Sequence, residues 1–244
     1  MPCRIIRSAF LFFLLTGCTL PAFAQNSSRK NRAEYYGDPI HFGFYLGINR
    51  TNFQITPVNN LVAVGGDSLK TILSSPQTGF NLGIVSELRL IEYLTLRFTP
   101  DIAFGARNIE YHFETSTDTF DIIKNVESTF LDFPLDFKIR SKRLTNFAAY
   151  MTAGMKYTLD LASQKDVNNA GASLGLQVIK LYKNDWAYEA GAGVDFFLPY
   201  FKFGIDLKIS LGLRNLLVPD NTVFARSIER LRSKVFLVSF TFEG

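Results

Sequence analysis

From Thr129 onward, every second residue is apolar: Leu131, Phe133, Leu135, Phe137 and Ile139. The offset positions Ser128, Phe130, Asp132, Pro134, Asp136 and Lys138 carry the charge. After a basic turn, Ser141–Asn146, the split resumes. Phe147, Ala149, Met151, Ala153, Met155 and Tyr157 then oppose Ala148, Tyr150, Thr152, Gly154, Lys156 and Thr158. Period-two alternation predicts strands whose two faces meet different surroundings. Strands of soluble domains usually run about 5–6 residues, whereas a tilted membrane-crossing strand needs about 9–11. Two strands of the longer kind, joined by a tight polar turn, predict a membrane hairpin.

The same alternation predicts further strands at Ile40–Phe53, Thr78–Leu90 and Tyr93–Tyr111 before the hairpin. After it come Trp186–Leu198, Lys202–Arg214 and Lys234–Phe242. The connections Gln54–Gln77, His112–Asn125, Leu161–Asp185 and Asn215–Ser233 are long. Those at Ile91-Glu92, Ser141–Asn146 and Pro199–Phe201 are short. This pattern predicts an all-β fold: an eight-stranded antiparallel up-and-down transmembrane β-barrel over residues 40–244, OmpA/OmpX-like, with long outer loops and short periplasmic turns. Soluble up-and-down barrels share the strand count but wet their outer face. The Phe/Leu/Ile face here is too continuous for water. Two loops carry secondary signals. Ala172–Leu181 is apolar enough to extend its flanking strands or to fold over the mouth. Val223–Lys234 has helical spacing, with Phe224, Ile228 and Leu231 on one side.

The charged face places Glu87, Arg97 and Asp101 inside the barrel, followed by Asp132, Asp136, Lys138 and Lys156. Glu189, Asp195, Asp206 and Lys208 complete the set. Acids and bases on neighbouring strands are placed to pair across the lumen, and eight strands leave an interior just wide enough for side chains to fill. The expected role is a structural polar plug; a conduction path is the alternative. Asp132 and Asp136 are no catalytic dyad, because two residues four apart on a strand lie roughly 13 Å apart.

The first 24 residues form a secretory leader by pattern: Arg4 and Arg7, an apolar stretch from Ala9 to Leu15, and the small-x-small site Ala22-Phe23-Ala24. Leu15-Thr16-Gly17-Cys18 also fits a lipoprotein cleavage box, which would lipidate Cys18. Residues 25–39, polar and mixed in charge, are expected to be a flexible periplasmic tail. Both cysteines, Cys3 and Cys18, lie in the leader, so cleavage after Ala24 leaves no thiol for a disulfide or metal. The net charge of +4 is spread along the chain, which argues against a nucleic-acid partner.

Signals for chemistry are sparse. His112 with Ser116 and Asp118 is the one set that a lipid-modifying enzyme at the outer mouth would need, and it lies in an ordinary polar loop. Two separated histidines do not make a metal site, and no phosphate loop or dinucleotide fingerprint is present. No catalytic residue, cofactor or small-molecule substrate is expected.

Three segments carry a family resemblance: HFGFYLGINRTNF (41–53), LTLRFTPDIAFGARNIEY (94–111) and ESTFLDFPLDFKIRSKRLTNFAAYMTAGMKY (127–157). They resemble the PorT family, called SprT in gliding members, the small outer-membrane barrel of the Bacteroidota type IX secretion system. The most specific part is DFPLDFKIRSKRLTN. The resemblance implies a non-enzymatic outer-membrane factor needed for secretion and maturation of sorting-domain cargo, in contact with other secretion components. It supplies no binding residue. The basic turn residues Lys142 and Arg143 face the periplasm in this scheme and are candidate docking positions. A general envelope-integrity or adhesive barrel is the alternative. The chain ends Phe242-Glu243-Gly244, so Phe242 is the expected insertion signal.

Overall fold

The computed structural model describes residues 30–59, 61, 69–115, 118–165, 167, 169 and 177–244, with Tyr36 described by its backbone alone. The expected leader and residues 25–29 of the expected tail lie outside the described residues. The alternating segments form β1 (Ile40–Pro57), β2 (Leu69–Arg89), β3 (Leu94–Phe98), β4 (Asp101–Glu114) and β5 (Thr119–Arg140). After the basic turn come β6 (Phe147–Asp160), β7 (Asn184–Phe197), β8 (Lys202–Gly212) and β9 (Ile228–Glu243).

All these strands pair antiparallel, and β1 pairs with both β2 and β9, so the sheet closes on itself. Closure matters because hydrocarbon offers no partner to a free strand edge. The third crossing is divided. A single strand was expected from Tyr93 to Tyr111, but β3 and β4 are separated at Thr99-Pro100, and both pair with β2 and β5. Proline has no N–H to give the ladder. Contact across the break persists, because Thr99 N donates to Pro134 O (3.2 Å) and Pro100 O accepts from Ile84 N (3.1 Å). The ring therefore has eight crossings.

The polarity of this ring is reversed relative to a soluble protein. Phe42, Ile84 and Met151 face outward with 66%, 61% and 68% of their surface exposed, while Arg97 and Asp136 face inward at 1% and 0%. An apolar exterior around a charged interior is stable only where the surroundings are lipid.

Several strands run past the length that lipid requires. β2 has 21 residues and β5 has 22, against about 9–11 for a crossing. Their outer halves, with those of β1, β4 and β9, carry an apolar cluster that includes Phe53, Leu69, Ile109, Tyr111 and Leu231, and Phe224 just before β9 joins it. Ile179 and Leu181 belong to it. The end of the Ala172–Leu181 segment thus packs over the mouth, and residues 172–176 lie outside the described residues.

The helix expected over Val223–Lys234 is corrected to one short turn, α1 (Val223–Arg226), with strand from Ile228. The spacing has a different cause. Ile228 pairs with Pro57 and Leu231 with Ile55, and a bulge lies between Thr56 and Pro57. A bulge adds a residue and shifts the alternation, so two residues three apart both face the core. A second irregularity, between Pro76 and Phe80, hides the outer half of β2, which begins at Leu69 instead of Thr78. The expected flexible tail is also packed from Asn31 onward. Its side chain donates to Phe197 O (3.0 Å), Arg32 Nη1 donates to Tyr200 O (3.0 Å), and Tyr35 is buried in a 3-10 turn, Tyr35–Gly37.

Leu135 lies on the lipid face of β5, and Asn125 lies on the same face above the apolar belt. Leu135→Arg is expected to destabilise the barrel by about 2–4 kcal/mol and Asn125→Arg by about 0–1 kcal/mol. Urea titration of both variants in lipid vesicles measures the difference.

Candidate functional site

Near the periplasmic end the lumen is built around one carboxylate. Glu87 on β2 is met by Arg97 of β3 at 2.7 Å, Lys138 of β5 at 3.0 Å and Lys202 of β8 at 2.9 Å. The cations are shared. Arg97 also reaches Asp206 (2.8 Å) and Glu243 (3.2 Å), Lys138 reaches Asp195 (2.9 Å), and Lys202 reaches Glu243 (2.6 Å). Tyr150 donates to Asp206 at 2.6 Å and lies beneath the Lys138 ammonium, whose nitrogen is 3.9 Å from the ring centre. A Cβ at Gly193 would lie 2.5 Å from the Tyr150 hydroxyl, so this position needs glycine to admit the ring.

A second layer lies farther from the periplasm. Lys156 pairs with Asp132 (2.9 Å) and Glu189 (3.4 Å), and Lys208 with Asp136. Asp101 accepts from Asn81 (2.7 Å), which in turn accepts from Asn49 (2.7 Å). All eleven lumen residues inferred from the alternation are buried, in these two layers. Sequence reading missed Lys202 and Glu243, although both have the inward parity of their strands. Tyr35 carried no signal, because it precedes the first alternating segment. Its hydroxyl donates to Glu243 Oε2 (3.2 Å), and burial pushes the phenol well above its usual pKa, so it stays a neutral donor.

Above these layers Arg107 spans the lumen. It contacts Ser233 (3.2 Å), stacks over Phe53 (4.2 Å) and Phe130 (4.8 Å), and approaches no carboxylate within 4.0 Å among the described residues. Two lumen cavities measure about 20 Å³ and 30 Å³. A water needs roughly 10–15 Å³ of such space, so each of these two cavities has room for only one or two waters.

The profile of the family described as "outer membrane protein beta-barrel domain" matches residues 23–218. The chain belongs to this family. No curated protein sequence matches this outer-membrane barrel. Among solved structures it is similar to Ail, the attachment invasion locus protein of Yersinia pestis, at 13% identity over 85% of this chain and 100% of that one (TM-score 0.39). It is also similar to OprG of Pseudomonas aeruginosa, at 11% identity over 89% and 98% of the two chains (TM-score 0.40). Neisserial surface protein A matches at 10% identity over 82% and 96% (TM-score 0.40).

The remaining candidates of this barrel lie at its rims. His112 Nδ1 is paired with Asp121 Oδ1 at 2.5 Å on the exposed outer wall. Asp118 accepts from the adjacent Thr119 N (2.8 Å), and Ser116 lies outside the described residues. At the periplasmic turn Lys142 is exposed. Arg143 instead bonds the Asn31 and Arg32 carbonyls and Asn146, with its guanidinium 3.8 Å from the Phe197 ring centre. The docking pair is thus split: Arg143 pins the N-terminal segment to the barrel, and Lys142 faces outward. On the outer side, Asn169 donates to Asp220 (2.7 Å) with Lys180 at 3.2 Å, and these contacts hold the Asp220 carboxyl below its usual pKa.

Removing one partner of a buried ion pair leaves the others uncompensated. Arg97→Met is expected to cost about 3–5 kcal/mol, because Glu87, Asp206 and Glu243 all lose the same cation. The urea midpoint in vesicles, compared with the parent protein, measures it.

Proposed function

We propose that this outer-membrane barrel is a non-enzymatic component of type IX protein secretion. In this reading it anchors other components and neither conducts nor catalyses. The observation that carries the proposal is the segment DFPLDFKIRSKRLTN (132–146), with its resemblance to the PorT family. It contributes Asp132, Asp136 and Lys138 to the lumen layers and then turns through Lys142 on the periplasmic side. The filled lumen supports an anchoring role: two layers of ion pairs occupy the space that a conducting pore would need. The leader pattern ending at Ala24 fits export by a cleaved signal.

Docking would fall on surfaces that keep their polar groups free. Lys142 is one such group, and Arg143 acts behind it by fixing the Asn31–Arg32 backbone. Deleting the gene is expected to abolish secretion of sorting-domain cargo, with a plasmid copy restoring it. Normal secretion in the deletion strain, with increased detergent sensitivity, would instead support an envelope-integrity role. Purified barrel in planar bilayers is expected to show no unitary conductance; stepwise currents would overturn the anchoring reading.

A further inference from the structure

The lipid-facing surface changes sharply on β1 and β9. On β1 the outward residues Phe42, Phe44, Leu46 and Ile48 give way to Arg50, and on β9 Phe236 gives way to Lys234, Arg232 and Arg230. Register places these residues side by side: Arg50 opposite Phe236, Asn52 opposite Lys234, Gln54 opposite Arg232 and Thr56 opposite Arg230. Paired residues of an antiparallel ladder share a face. A basic column therefore runs beside a polar one, immediately above the apolar belt and on the long-loop side. In outer-membrane barrels the long loops face outward, so the column stands at the headgroups of the outer leaflet.

These cations have no internal duty. Among the described residues none of Arg50, Arg230, Arg232 and Lys234 has a carboxylate within 4.0 Å. The Arg232 Nε is shielded from solvent and has no hydrogen-bond partner among the described residues. The outward face of β5 above the belt is different in sign, with Glu127 and Asp121 exposed. The basic column is thus not repeated on β5.

We infer that this column is a binding site for the phosphorylated glycolipid of the outer leaflet. Outward neighbours on a strand lie about 6.5–7 Å apart and adjacent strands about 4.8 Å apart. Arg230 to Lys234 therefore spans roughly 13 Å, with Arg50 one strand over. Guanidinium groups suit phosphate oxygens, which they bind by paired N–H donors. The neighbouring Gln54 and Thr56 side chains are exposed and offer partners for sugar hydroxyls. The acyl chains would lie on the aromatic surface below, where Phe44 and Phe242 stack at 5.0 Å. This site depends on the outward orientation of the long loops and not on the secretion role.

The test uses the full barrel in phosphatidylcholine vesicles doped with lipopolysaccharide, either with its lipid A phosphates or enzymatically dephosphorylated. Bound glycolipid is counted by native mass spectrometry after mild detergent extraction. The phosphorylated form is expected to be retained and the dephosphorylated form lost. The R230Q/R232Q/K234Q variant is expected to bind roughly 100-fold more weakly, at about fivefold per cation, while Arg89→Gln at the periplasmic end leaves binding unchanged. An unaltered urea midpoint in vesicles without glycolipid establishes that the triple variant folds. Retention indifferent to dephosphorylation, or a folded triple variant that binds as the parent does, would overturn the inference.

Discussion

The Glu87 carboxylate draws three cations, Arg97, Lys138 and Lys202, from three different strands into one buried cross-section. Taking charges out of water costs several kcal/mol per ion, and only well-placed opposite charges and hydrogen bonds offset it. Here the offset is collective. Asp195, Asp206 and Glu243 share those cations, so no pair stands alone. Glu243 is the penultimate residue, and its pairing binds the end of the last strand into the lumen while β9 closes against β1.

The molecule has two interiors of opposite character. Within the membrane the outside is apolar, so charge collects inside and must pair with itself. Beyond the membrane the outside is water, and the inward residues of the same strands become Phe53, Ile109, Tyr111 and Leu231. Arg107 stands at the boundary, stacked on Phe53 and Phe130 below the apolar cluster. The outer surface reverses at a similar level, from Ile48 to Arg50 on β1. One sheet thus serves two solvents by exchanging which of its faces is polar.

The chemical sites suggested by isolated residues fare differently from those suggested by periodicity. Because a side chain's face depends on local geometry, period-two spacing singled out eleven charged positions that are buried, though not Lys202 or Glu243 of the Glu87 layer. Single residues carried no such guide. Arg143 and Lys142 are neighbours with the same charge, yet one is held by the backbone of Asn31 and Arg32 and the other is exposed. Lys202 and Glu243 lie at strand ends, where alternation has too few neighbours to mark them.

The sequence by itself determined that the chain would form long alternating strands and which face of each would meet lipid. These follow from strand geometry and the cost of charge in hydrocarbon, both of which act locally. The connection expected to be long at His112–Asn125 is instead strand on both sides of residues 115–118. Tertiary structure alone decided the conversion of Ile228–Leu231 from helical spacing to bulged strand and the choice of Glu87 as the charge hub. Each depends on which residue lies opposite across the ring. Ile228 and Leu231 lie opposite Pro57 and Ile55, and Glu87 meets Lys138 and Lys202, so residues far apart in the chain decide these features together.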